Sequence, residues 1–454
     1  MKKKPSHVLI AAAAASILVG PLAATSSAGA TPRQTSHSAA LPGAGKTIIV
    51  SSSLNTTFPA RQKQWHAALA SAFHKLTGAN VKFTEWSTSS QELTTLETLT
   101  VTHQGPDIFN IGSTFVPTAF GTGAFLKLTN ADWAAVGGKS RFFKAALAMS
   151  GPSATDQIGV PIDSVPYGIL YNKTLFQQAG ISSPPHTWTQ FVADAEKITN
   201  PKKGIYGTVE DPQDPFDPWH YLWLITTQMG GHLVSPNLKT AELNSPKVVA
   251  AENFLLDWYT KFHIANPASL GWRSSQDLAA FTSGKVGMWV LQSVSDVPSL
   301  KGVPFKWAFA PNPEIPYGDT TLPPGGKATS SFISGQFYAV SKYSRYPSLD
   351  FDWIKIYTSK KMQELGQSLF GWQPINYGAA LAVAKGNPVY KPFITAENAS
   401  LPTPFTLAWG DLEVAVAGAV SQMADAIATG HFSPAVVTQQ LTKANTVVQA
   451  HLVP

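Results

Sequence analysis

The sequence predicts an α/β protein of two lobes, each a β-α-β sheet flanked by helices. Strands and helical stripes alternate from residue 47 onward, and a strand–helix–break–helix run spans residues 159–198. The chain is also 454 residues long, more than one hydrophobic core holds.

The first half opens as β-α-β-α-β. Thr47-Ile48-Ile49-Val50 reads as a short buried strand, and Trp65, Ala68, Leu69, Ala72, Phe73 and Leu76 form a helical stripe that Gly78 ends. Val81, Phe83 and Glu85 alternate as a second strand. Leu93, Leu96, Leu99 and His103 line the next helix up to Gly105, and residues 107–112 make a third strand. Such alternation predicts a parallel sheet with ligand chemistry at its carboxyl edge. That edge brings together Ser51 to Asn55, Trp86 to Thr88 and Gly112 to Thr114.

In the run 159–198, Ile169, Leu170 and Tyr171 end a β-rich stretch. Leu175 to Ala179 make a short helix stopped by Gly180. Thr187 and Gln190 have capping-box spacing, with Trp188, Phe191, Val192, Ala195 and Ile198 as the stripe behind them. Near the end, Leu412, Val416, Ala419, Met423 and Ile427 define an amphipathic helix over 411–428. Ser433-Pro434 then suits the start of a last helix reaching Val448.

Apolar residues make up 44% and charged ones 13%, a globular composition with a sparsely charged surface. Lys2, Lys3 and Lys4 precede an apolar run from Val8 to Gly20, and Ala28-Gly29-Ala30 offers small residues for cleavage. This is the outline of a secretory signal over residues 1–30, too short in its apolar part to be read as a membrane span. The formal charge is +6; without the three leader lysines it is +3, which gives no footprint for nucleic acid. Residues 31–45, rich in Thr, Ser, Ala, Pro and Gly, are expected to be a disordered linker. There is no cysteine, which excludes disulfides, thiolate nucleophiles and anchoring through a lipidated cysteine. The expectation is an exported protein, periplasmic, extracellular or at the cell surface.

The 159–198 run resembles the central signature of the extracellular solute-binding proteins of sugar-type ABC importers, "G-x-P … YNKxLF … aGi … PP-x-TW-x-x-F". Gly105-Pro106-Asp107, Gly204-Ile205-Tyr206-Gly207, Gly230-Gly231, Phe281 to Met288, Ser334 to Ser341, Phe351 to Tyr357 and Gly371-Trp372-Gln373-Pro374 match further family segments in order, over roughly residues 46–430. The resemblance implies a type II periplasmic-binding-protein-like fold with two or three crossing strands as a hinge. One lobe would comprise 46–161 and 329–371, the other 162–328 and 372–454. It further implies a carbohydrate ligand, an oligosaccharide by preference, delivered to a membrane permease by a monomeric binder without cofactor. Many Gram-positive members carry a lipidated cysteine; this chain departs from them.

Thirteen tryptophans are available, and an indole can cover the apolar face of a pyranose while amides and carboxylates bind its hydroxyls. Trp86, Trp219 and Trp372 lie at strand–loop junctions and are candidate platforms, whereas Trp65, Trp188, Trp258 and Trp353 lie on helical stripes and read as core. By resemblance, Trp219 and His220 start a helix facing the cleft, with Trp223 as packing support. Asp163, Ser164 and Tyr167 lie where the chain crosses lobes, and Ser113 and Thr114 follow the third strand. Gln292 lies where many sugar binders carry Gly-x-Trp; here Val294 stands near that tryptophan's position, so one platform is missing. Gln336 and Gln373 are neutral amides suited to a polyol, and Asn376 is a third.

Asp211, Asp214 and Asp217 interleave with prolines, yet the Gly-centred calcium pattern and a histidine at helical spacing are missing, so no metal is expected. Motifs for a serine hydrolase, zincin, P-loop or dinucleotide site are also absent. A binding protein is therefore the leading reading. A secreted carbohydrate-active enzyme and a ligand-presenting partner of a sensory receptor are the alternatives, because carboxylate separation is a three-dimensional fact.

Overall fold

The computed structural model describes residues 41–452 apart from 56, 57, 88 and 216. The leader over 1–30, most of the linker expected over 31–45, and Thr88 of the carboxyl edge therefore lie outside the described residues. Residues 41–45 are not disordered as expected but form a turn, with Gly43 N–H donating to Thr77 O at 2.8 Å. A Cβ on Gly43 would sit 2.7 Å from Ala79 Cβ, so glycine permits this close approach.

Two sheets organise the chain. The first has the order β2-β1-β3-β9-β4, formed by β1 (Thr47–Ser53), β2 (Asn80–Trp86), β3 (Ile108–Gly112), β4 (Gly159–Pro161) and β9 (Gln336–Val340). The second has the order β6-β7-β5-β8, formed by β5 (Tyr167–Asn172), β6 (Tyr206–Val209), β7 (Val286–Ser293) and β8 (Trp307–Ala310). β1 pairs in parallel with β2 and β3, as alternation with helices requires, while β9 returns antiparallel between β3 and β4. The carboxyl ends of β1 and β3 thus meet the amino end of β9.

Helix Pro59–Thr77 forms as the stripe predicts, with Trp65, Leu69 and Phe73 buried and Gly78 at φ +75 closing it. Leu76 departs from the stripe and is exposed, because Thr77 takes the inward position and bonds Phe73 O. Helix Trp188–Ile198 begins with the expected capping box, Thr187 Oγ1 accepting from Gln190 N–H at 3.1 Å. Ser433 does stand at the N-cap of helix Pro434–His451, but its hydroxyl makes no capping bond.

Helices Pro347–Tyr357, Lys360–Phe370 and Tyr377–Gly386 pack with Pro59–Thr77 or with one another on the first sheet. Ile375, Ala380 and Ala384 share a core with Trp65, Phe73 and Trp353, so the chain just beyond 371 does not join the second lobe as expected. The local reason is Gln363, whose Oε1 accepts from Ile375 N–H at 2.8 Å and holds the segment against helix Lys360–Phe370. Helix Lys391–Asn398 then packs on β5 and β8, and Trp409–Ala428 with Pro434–His451 closes the core beneath the second sheet.

Three segments run together between the sheets. Ile162 N–H donates to Gln336 O at 2.8 Å, and Val165 N–H to Ser334 O at 3.1 Å. Ser330 Oγ donates to Tyr167 O at 3.1 Å. Ile333 N–H donates to Leu401 O, and Leu401 N–H to Ser331 O.

Candidate functional site

A cavity of about 340 Å³ opens at the carboxyl edge of the first sheet. Its floor is the end of β1 (Ser52 and Ser53, then Leu54 and Asn55), Asn110 of β3, and Gln336 and Tyr338 of β9. Helix Pro59–Thr77 contributes Gln62, Trp65 and His66, the crossing segment Ile162, Asp163 and Val165, and one wall is Tyr357, Phe370 and Trp372.

The polar groups of this floor are held by a backbone-anchored network. Gln62 Nε2 donates to Ser53 O at 2.7 Å while its Oε1 accepts from Asn55 N–H at 2.7 Å. Asn110 Oδ1 accepts from Ser53 N–H at 3.2 Å. Asp163 Oδ1 accepts from Gln336 N–H at 2.6 Å, and burial still pushes its carboxyl up to about 6. Gln336 Oε1 is buried without a hydrogen-bond partner, an acceptor left for an incoming donor. His66 stacks on Phe83 at 3.9 Å, and burial lowers its pKa to about 4, so its imidazole is neutral at pH 7. No lysine or arginine lines the cavity among the described residues. The lining is therefore hydroxyl, amide, one carboxyl, aromatic and aliphatic surface.

Trp372 brings an indole to the cavity wall. Its indole stacks on Phe370 at 4.2 Å and 15°, and meets Trp65 edge-on at 6.4 Å. Trp65, expected as core alone, is nearly fully buried yet contributes to the cavity wall. Gly335 lets the crossing segments touch, since a Cβ there would lie 2.6 Å from Asp163 O at φ +146.

Of the residues singled out from sequence, Asp163, Gln336 and Trp372 line this cavity. Ser164 and Gln373 face each other as a β-bridge beside it, both buried. Trp86 ends β2, and its carbonyl accepts from the N–H of Leu54, a lining residue. The others lie elsewhere. Trp219 is 0% exposed, wedged against Phe332 at 4.6 Å and Trp409 at 5.3 Å, and does not line the cavity. His220 is buried beside it and tilted against Tyr167 at 5.5 Å; burial lowers its pKa to about 3. Tyr167 belongs to the same cluster, 5.1 Å from Phe332. The physical reason is that helix Pro218–Gln228 is apolar around nearly its whole circumference, so no stripe marks a cleft face.

Ser113 and Thr114 are buried where helix Trp409–Ala428 packs on them, with Glu413 against Thr114. Gln292, at the end of β7, turns back so that its Nε2 donates to Val290 O at 3.0 Å. Asn376 caps helix Tyr377–Gly386 rather than facing the cavity. Sequence reasoning missed Gln62, Asn110, Tyr357 and Phe370. Asn110 had a readable signal, a polar residue interrupting the apolar strand Ile108–Gly112.

Residues 55–364 match the family model of the bacterial extracellular solute-binding proteins, and the chain belongs to that family. Its members are binding proteins. Among curated relatives, the diacetylchitobiose binding protein DasA of Streptomyces coelicolor is 26% identical over 361 residues, covering 77% of this chain and 78% of its own. An ABC substrate-binding protein of Listeria monocytogenes, solved with cycloalternan, superposes with a TM-score of 0.71 at 18% identity, over 89% of this chain and 98% of that one. The GacH receptor of Streptomyces glaucescens, solved unliganded and with acarbose, gives 0.70 at 20% identity, over 90% and 99%. These superpositions establish the two-lobed solute-binding fold. Among the described residues, no helix is long and apolar enough to cross a membrane.

Proposed function

We propose that this protein captures a neutral carbohydrate, an oligosaccharide by preference, and delivers it to the membrane permease of an ABC importer. The observation that carries this reading is the Trp372–Phe370 stack beside Asn110, Gln62, Gln336 and Asp163 in a cavity with no lysine or arginine lining. An indole covers the C–H face of a sugar ring and the amides and carboxyl meet its hydroxyls. DasA, GacH and the Listeria protein are similar to this chain, and the ligands in their names are carbohydrates or analogues.

We assign residues 41–162 and 334–390 to one lobe and 167–330 and 391–452 to the other. The cavity is lined by the first lobe and the crossing segment, and closure follows if the second lobe adds contacts to the bound ligand, since a ligand shifts an equilibrium only by its differential affinity for the two states. The protein acts as a monomer, exported by the leader over residues 1–30, without catalysis, nucleic acid or cofactor.

Titrating tryptophan fluorescence with mono- and oligosaccharides, with product analysis on the same samples, tests this. The expected result is saturable one-to-one binding near micromolar Kd, about −8 kcal/mol, with the sugar recovered intact. Release of shorter products would make the protein a carbohydrate-active enzyme. Saturation by amino acids or peptides alone would overturn the carbohydrate reading. Capture of a receptor instead of a permease from membranes would identify the sensory role.

A further inference from the structure

A second cavity, of about 380 Å³, lies apart from the one described above and shares no lining residue with it. One wall is Trp223 of helix Pro218–Gln228, with Leu233, Val234 and Leu238 of the loop beyond that helix. Another is the crossing segment from Leu401 to Phe405. Small-molecule sites have volumes of this order and the same mainly apolar lining with a few polar groups.

The cavity touches the hinge rather than one lobe alone. Leu401 bonds Ser331 and Ile333, and Phe332 between them meets Trp223 edge-on at 5.9 Å. Farther along, Phe405 meets Phe120 edge-on at 5.8 Å, and Thr403 Oγ1 lies 4.0 Å from Met149 Sδ. Phe120 and Met149 pack with Phe109 and Phe337 of the first sheet.

Leu238 is the independent observation. It sits at φ +61, left-handed backbone that a leucine rarely adopts. A tight turn enforces it. Ser235 N–H donates to Thr240 O at 2.8 Å, Leu238 N–H to Ser235 O at 2.8 Å, and Lys239 N–H to Asn237 Oδ1 at 3.1 Å. Glycine or asparagine would hold this turn without strain, yet an apolar side chain stands here and lines the cavity. Strain of this kind clusters at ligand clamps and active sites.

The polar part of the lining is lopsided in charge. Lys327 is exposed and lines the cavity, its N–H donating to Thr227 O at 3.2 Å. Thr227, His232, Ser235 and Thr403 are the other polar lining residues, and no acid lines the cavity among the described residues. The ammonium of Lys327 therefore stands at the solvent side of an apolar pocket whose lining supplies no countercharge.

We propose that this cavity is a second ligand site, for an amphipathic anion whose apolar rings lie against Trp223 and Leu238 and whose carboxylate or sulfonate meets Lys327. Burial of the rings supplies affinity, and the charge-assisted bond sets which end points outward. The site goes beyond the carbohydrate reading and does not depend on it.

Titration of the full chain with anilinonaphthalene sulfonate, by fluorescence and calorimetry and with no sugar present, tests the site. Saturable one-to-one binding is expected. Phenylnaphthylamine, which has the same rings without the sulfonate, should bind about tenfold or more weakly, and Lys327→Met should weaken the sulfonate probe to the same degree. Leu238→Asn should hold or raise Tm, because asparagine tolerates left-handed backbone, while weakening the probe about tenfold. A crystal grown with the probe should show its rings against Trp223 and Leu238. No saturation by about 1 mM probe would overturn the proposal, as would a probe seated beside Trp372 instead. Equal affinity for the neutral analogue, or unchanged probe affinity in Lys327→Met or in Leu238→Asn, would overturn it as well.

Discussion

The indole of Trp372 lies parallel to the ring of Phe370, 4.2 Å away with the planes 15° apart. Phe370 ends a helix and Gly371, at φ +81, turns the chain so that the two rings can stack. One face of the indole is thereby supported before any ligand arrives, which lowers the ordering cost of using the cavity side.

Trp372→Ala should therefore weaken ligand binding by about tenfold or more, about 1.4 kcal/mol, with little change in the apo Tm. Trp219→Ala should behave in the opposite way. Its ring is fully buried among Phe332 and Trp409, so truncation should cost about 3–5 kcal/mol of stability. Calorimetric titration and thermal melting on both variants check the pair; equal stability loss in the two would show that Trp372 is core.

Gln336 carries the unpartnered Oε1 on the cavity floor. Gln336→Leu removes a buried acceptor that the apo protein leaves unsatisfied, so stability should hold or rise slightly. Affinity should drop about tenfold, because a ligand donor loses its acceptor. A Gln336→Leu protein that binds the ligand as tightly as the native one would exclude this contact.

Glu252 is buried in helix Pro246–Thr260, its Oε2 has no partner, and burial raises its pKa to about 8. Its folded pKa lies above its unfolded value, so the native state holds more protons between the two. Stability then falls as pH rises from about 4 through 8. Glu252→Gln should leave Tm nearly unchanged at pH 4.5 and raise it at pH 9, where the stability gained exceeds the ~1.4 kcal/mol that one pKa unit represents. Melting curves across that range decide it. A uniform Tm shift at all pH values would mean the carboxyl is not the group titrating.

Gly371 also meets Pro298, in the segment that follows β7 of the second sheet. A Cβ there would lie 2.7 Å from Pro298 Cγ, as well as straining φ +81. Gly371→Ala should push these surfaces apart and bias the protein toward the open state, so ligand affinity drops several-fold. Small-angle scattering with saturating ligand should give a larger radius of gyration than for the native protein. An unchanged radius and affinity would show that the contact plays no part in closure.

Most of the fold was legible because its signals are local. Thr187 and Gln190 are three residues apart and cap the same helix in the structure, and the stripe from Trp188 to Ile198 is buried as its spacing requires. Asp163 was singled out through the family resemblance and Gln336 as a neutral amide, and the structure places both on the cavity lining.

Chain order and the chemistry of individual segments thus determined the α/β class, the two sheets and the residue types available to a ligand. Tertiary packing alone decided which tryptophan faces the cavity. Trp219 and Trp372 both follow loops, but exposure depends on neighbours far along the chain, and Phe332 and Trp409 close over the first while Phe370 supports the second. The same holds for Asp163 and Gln336, joined by a hydrogen bond although 173 residues apart, because no local period connects positions so far separated.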